Sequence, residues 1–157
     1  MPHVVWRAGL DLNPIDIHDP EQADWLETLV WPEQEGRLSR LRNALAVARQ
    51  HTPRVVRGNL LTDLQSLAGE APEDATLVIF HTAVLAYVDR QEDRDRFART
   101  VRDRNAVWIS NESPMVFPDI AGKVGTPRPN GQFLLAQGEN PVAWTDPHGA
   151  TLSWLAY

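Results

Sequence analysis

The chain has 157 residues, the size of one ordinary domain, and with 43% apolar and 23% charged residues it is not a disordered polymer. Fifteen Lys and Arg against 21 Asp and Glu give a net charge of −6, and without a dense basic block this argues against a dedicated nucleic-acid or anionic-membrane binder. It has no cysteine, which removes disulfides, thiolate chemistry and Cys-based metal sites. No apolar run approaches the roughly 20 residues of a membrane helix, and no signal-peptide pattern opens the chain, so a cytoplasmic location is expected.

Val4 to Leu10 reads as a strand, stopped at Asn13-Pro14 because a residue before proline is pushed out of the helical region. Asp19-Pro20-Glu21 has the form of a helix start, with a side-chain acceptor, proline in the first turn and an acid after it; Trp31-Pro32 breaks that helix. A second helix is expected from near Glu33, with Leu38, Leu41, Leu45 and Ala48 forming one apolar stripe, ending at Thr52-Pro53. Arg54 to Asn59 is a short strand, followed by a helical piece from about Leu61 to Ala68. Ala75 to Phe80 is the most hydrophobic run, lacks polar alternation and suits a central parallel strand buried on both faces. Asp89 would cap a charged helix running to about Arg104, with Phe97, Ala98 and Val101 inward; Ala106 to Ser110 is a fourth strand. Met115 to Pro129 reads as a surface loop. Gln132 to Gln137, Val142 to Trp144 and Thr151 to Leu155 are strands whose connections are short enough to force antiparallel pairing.

This order describes a single α/β domain over residues 1–157: an open, mostly parallel sheet with helices on both faces and an antiparallel C-terminal hairpin. In such sheets ligands bind beyond the carboxyl ends of the parallel strands. Those ends carry Asp11 with Asn13, Asn59, His81 with Thr82, and Glu112 with Ser113, which would share one rim. Asp11 is suited to two ribose hydroxyls, or to an Asx turn in Asp-Leu-Asn-Pro. Asn59 is suited to an adenine edge, or to capping the helix that follows. His81 is a candidate general base with Glu112 as its acid or base partner; the alternative is a hydrogen-bonded structural histidine and a loop acid. His148, in Asp-Pro-His-Gly, is read as a turn residue, the alternating charges of Asp89 to Arg104 as a solvated helix face, and most of the six tryptophans as core.

The sequence contains no G-x-G-x-x-G, no phosphate-binding G-x-x-x-x-G-K-[ST], no G-x-S-x-G and no H-E-x-x-H. The five histidines have no metal-ligand spacing, so no metal is expected.

Arg7 to Asp16 (Arg-Ala-Gly-Leu-Asp-Leu-Asn-Pro-Ile-Asp), Leu-Val-Trp-Pro-Glu-Gln at 29–34, Val55 to Leu60 and Val78 to Tyr87 resemble the bacterial domain of unknown function 2332, and Asp146 to Gly149 fits it too. More loosely, the strand order is similar to the back portion of a class I S-adenosylmethionine-dependent methyltransferase, a Rossmann-like fold. That resemblance implies S-adenosylmethionine as cofactor, bound by Asp11, Asn13 and Asn59, with Asp11 as the ribose-binding acid, Asn59 near the adenine, and His81 after the strand that faces the acceptor. It also implies a chain that begins after the fold's first strand and glycine turn, since members of the unknown-function family are usually longer. The missing strand would lie centrally, and exposed strand edges invite self-association, so a homodimer or a rearranged sheet is expected.

Two readings follow. One is a methyltransferase-like domain, or its cofactor-poor half, binding a small S-adenosylmethionine- or nucleotide-type ligand with Asp11, Asn13, Asn59, His81 and Glu112 along the cleft. The other is a non-catalytic binding or structural module. A hydrolase using His81 and Glu112 ranks last, because no nucleophile motif accompanies them.

Overall fold

The computed structural model describes residues 2–33, 35–125 and 129–156. The chain divides into two compact units, Met1–Pro72 and Glu73–Tyr157.

The first unit is built on two parallel strands, β1 (Gly9–Asp11) and β2 (Val55–Arg57), paired Gly9 to Val55, Leu10 to Val56 and Asp11 to Arg57. Parallel neighbours need a long crossover, and α1 (Pro20–Thr28) and α2 (Glu35–Gln50) supply it. Asp19 caps α1: its Oδ1 accepts from the Glu21 N–H at 2.9 Å and its Oδ2 from Gln22 Nε2 at 2.7 Å. The two helices lie against each other, and Arg42 of α2 donates to Glu27 of α1 at 2.9 Å. Beyond β2 the chain turns at Gly58 into α3 (Leu64–Ala68). A Cβ on Gly58 would stand 2.8 Å from Leu10 Cδ1 and 2.9 Å from Asp63 Oδ2, so any larger residue here would push both side chains aside. Among the described residues, Ala23, Leu45, Leu67 and Ala68 are the buried apolar ones of this unit.

The second unit is a five-stranded sheet in the order β3 (Val78–Thr82), β4 (Val107–Glu112), β5 (Phe133–Gln137), β6 (Asn140–Thr145), β7 (Leu152–Trp154). β3 and β4 are parallel, joined through a 3₁₀ turn at Leu85–Tyr87 and through α4 (Gln91–Asp103); the other neighbours are antiparallel. α4 buries Phe97, Ala98 and Val101, the inner face its spacing predicts. Gln137 and Asn140 pair across the two-residue turn Gly138-Glu139; Gly138 has φ +59° at the first turn position, the geometry that makes glycine the favoured residue there. A short helix, α5 (Pro118–Ala121), follows β4.

Several expectations change. The sheet is mixed rather than mostly parallel: the short connections after β5 and β6 impose antiparallel pairing there, and β5 also runs antiparallel to β4. The expected set of four adjacent parallel strands is instead two parallel pairs in two sheets. The first strand is Gly9–Asp11 instead of Val4 to Leu10, and Val4 and Val5 are exposed. β3 is an edge strand and not a central one: with β4 as its only neighbour among the described residues, its exposure alternates and Phe80 is 76% exposed. α4 starts at Gln91 with Arg90 in the cap position, so Asp89 is not its cap. Trp108 and Trp144 are core residues, whereas Trp25, Trp31 and Trp154 are largely exposed. The loop expected over Met115 to Pro129 contains α5, and its residues Thr126, Pro127 and Arg128 lie outside the described ones, as does Gln34.

The β5–β6 turn is tied down by charge. Glu139 pairs with Arg102 of α4 and with Lys123, whose Nζ also donates to the Glu139 carbonyl at 2.9 Å. The Lys123 hydrogen bond, then the Arg102 charge, hold the Glu139 carboxyl below its ordinary value of 4.5. A lowered folded-state value means this contribution is complete above the unfolded value and is lost as pH falls through the folded one. Thermal unfolding of Glu139→Gln, followed from neutral pH to below 4.5, is therefore expected to fall less steeply with acid than that of the parent. Parallel acid limbs would contradict the ion pair's role.

Candidate functional site

β4 reads Val107-Trp108-Ile109-Ser110-Asn111-Glu112, and strand alternation sends Trp108, Ser110 and Glu112 to one face, all buried. His81 of β3 is the register partner of Ser110, so its ring stands between Trp108 and Glu112, two residues to either side. The small Ser110 leaves room for it. His81 Nδ1 lies 2.8 Å from Glu112 Oε1, and the Trp108 indole N–H donates to His81 Nε2 at 3.0 Å. An indole N–H can only donate, so Nε2 must accept; the proton therefore sits on Nδ1 and is donated to Glu112. Phe97 of α4 meets the imidazole edge-on at 5.2 Å between centroids.

Glu112 does more than hold the histidine. Its Oε1 also accepts from the backbone N–H groups of Val84 (3.0 Å) and Leu85 (3.1 Å), fixing the turn after β3, where Ala83 adopts φ +54°. The Glu112 and His81 side chains are 2% and 7% exposed, so three N–H donors offset the desolvation of this carboxylate. Its second oxygen, Oε2, has no partner among the described residues. The site thus brings together the two residues proposed for acid–base work, but leaves neither ring nitrogen free to receive a substrate proton. On the opposite face Asn111 donates to Thr82 Oγ1 at 3.3 Å and accepts from Thr145 Oγ1 at 2.7 Å, while the Ser113 hydroxyl accepts from the Met115 N–H at 3.4 Å.

The second group of expected site residues lies in the first unit, at the carboxyl ends of β1 and β2. Asp11 Oδ1 accepts from the Asn13 N–H at 2.7 Å, an Asx turn. Asn59 Oδ1 accepts from the Leu61 N–H at 2.9 Å, while the Asn59 N–H donates to Asp63 at 2.7 Å. The Asx turn weighed for Asp11 is therefore present, whereas Asn59 forms a turn of the same kind and does not cap α3, whose N-cap position is Asp63. Among the described residues, Asp11 Oδ2 and the Asn13 and Asn59 amide nitrogens have no protein partner. Arg57, which the sequence pattern left inside a strand, joins this edge: as the register partner of Asp11 it donates to Asn13 Oδ1 at 2.9 Å. Its position immediately before Gly58, at a strand end, was the available signal. Trp108 was the other omission, and the Trp-x-Ser-x-Glu alternation opposite a strand histidine would have found it. His148 is the turn residue expected, its N–H donating to Asp146 Oδ1 at 2.8 Å.

A family model described as an uncharacterized protein conserved in bacteria (DUF2332) matches residues 1–154. The chain belongs to the DUF2332 family. No curated protein and no solved structure matches it.

In this DUF2332 chain the buried network sets a ranking of substitutions. Trp108→Phe leaves His81 Nε2 buried without a donor and is expected to cost about 1–3 kcal/mol in urea unfolding. Glu112→Ala strands three N–H donors and is expected to cost about 3 kcal/mol or more. A Trp108→Phe protein within about 0.5 kcal/mol of the parent, the range of neutral surface changes, would remove the indole from the network.

Proposed function

We propose that this chain binds a nucleoside-type ligand, S-adenosylmethionine or its demethylated product, along the carboxyl edge of β1 and β2. The observation that carries the reading is the convergence of Asp11, Asn13 and Asn59 at the ends of two parallel strands, each keeping one polar atom without a protein partner among the described residues. Ribose hydroxyls suit a free carboxylate oxygen, and an adenine edge suits an amide. The Asx turns at Asp11 and Asn59 do not compete with that role: each uses one oxygen and pre-orients the remainder of the group.

The nucleoside half of S-adenosylmethionine fits these residues. The methionine half does not: the chain has no G-x-G-x-x-G turn, and the glycine at this edge, Gly58, is closed off by Leu10 and Asp63. When bound by a transferase, the cofactor supplies an electrophilic methyl group; here Asp11, Asn13 and Asn59 would serve to hold and orient its sugar and base. His81, with both ring nitrogens engaged, acts in this reading as a sheet-locking residue, which favours a binding module over a catalyst.

The test is thermal unfolding of the chain with S-adenosylhomocysteine or adenosine, alongside Asp11→Asn, which keeps the turn-forming oxygen and removes the charge. At a hundred times the dissociation constant the ligand is expected to stabilise the parent by about 2.7 kcal/mol. Asp11→Asn is expected to weaken binding about tenfold while melting normally without ligand. Absence of any shift at millimolar ligand, or an equal shift in Asp11→Asn, would remove the reading.

A further inference from the structure

The second unit contains a groove of about 400 Å³ bounded by α4, by the segment Phe117 to Lys123 and by Glu139 at the β5–β6 turn. That volume lies within the range of small-molecule sites. Its floor is apolar and well packed: Ala98, Trp108 and Ile120 are buried, and Phe117 meets Trp108 edge-on, 5.3 Å between centroids at 88°. The exposed rim is charged, with three cations (Arg99, Arg102, Lys123) and three anions (Asp95, Asp119, Glu139).

Most of that charge is committed. Arg102 and Lys123 converge on Glu139, and Asp95 accepts from Gln91 Nε2 at 2.9 Å. The Arg99 guanidinium has no ion-pair or hydrogen-bond partner among the described residues. A balanced rim disfavours a polyanion such as a nucleotide polyphosphate, because three carboxylates would repel it. An uncommitted guanidinium beside an aromatic and aliphatic floor instead matches a single planar carboxylate attached to a flat apolar body.

We propose that this groove binds a small aromatic monocarboxylate, with the carboxylate forked by Arg99 and the ring against Trp108, Phe117 and Ile120. The groove shares no residue with the β1–β2 edge and does not depend on the nucleoside reading.

The experiment titrates the full chain with 2-naphthoate and with its neutral isostere 2-naphthamide, by calorimetry and by tryptophan fluorescence. The parent is expected to bind naphthoate saturably and the amide about tenfold or more weakly. Arg99→Ala, a change at an exposed position, is expected to lose about tenfold for naphthoate while keeping its far-ultraviolet spectrum and melting temperature. Arg99→Lys should recover only part of the loss, since an ammonium lacks the planar fork. Asp11→Asn should bind naphthoate like the parent, which keeps this outcome distinct from the nucleoside test. No saturable binding at millimolar naphthoate, equal affinity for the amide, or unchanged affinity in Arg99→Ala would each overturn the proposal.

Discussion

The second unit is organised by the two-residue repeat of β4. Because strand side chains alternate, Trp108, Ser110 and Glu112 must share a face, and because β3 runs parallel with His81 opposite Ser110, one imidazole is gripped by a donor on one side and an acceptor on the other. A carboxylate that is 2% exposed would be costly alone; here its Oε1 accepts from an imidazole N–H and two backbone N–H groups, and the same backbone donors form the turn that ends β3. Strand pairing, turn geometry and burial of the helix face that carries Phe97 all meet at this one cluster.

The element order was legible because apolar periodicity, proline punctuation and short connections are local signals. Asp19-Pro20 opens a helix in the structure as the capping chemistry requires, and Gly138-Glu139 closes a hairpin. His81 and Glu112 were legible as a pair because both terminate strands that a crossover helix makes neighbours. The sheet partition was not legible. Ala75 to Phe80 has the composition of a buried strand, but composition reports what a strand could bury, not how many neighbours it finds, and β3 finds only β4. Arg57 and Trp108 escaped for a related reason: their roles depend on register, Arg57 opposite Asp11 and Trp108 one step diagonal from His81, and register is a property of pairs of strands.

The two units differ in how they are held. In the second, large side chains such as Phe97, Trp108 and Trp144 are buried together with a polar network. In the first, the buried apolar residues among those described are Ala23, Leu45, Leu67 and Ala68, and its ion pairs, such as Arg54 with Glu70, are exposed and contribute little each. The edge formed by Asp11, Asn13, Arg57 and Asn59 thus rests on the less deeply packed unit, where local opening is easier and side chains can adjust around a guest.

The grip on His81 also bears on how the chain reaches this arrangement. β5 and β6 are joined by a two-residue turn, whereas β3 and β4 are separated in the chain by the 3₁₀ turn and α4, so their pairing closes the longer loop at the larger entropy cost. A slip of one residue between them would still satisfy much of the backbone ladder, yet it would turn the imidazole away from both the indole and the carboxylate. The polar triad therefore ties the β3–β4 pair to one alignment, because only that register keeps the imidazole between its donor and its acceptor.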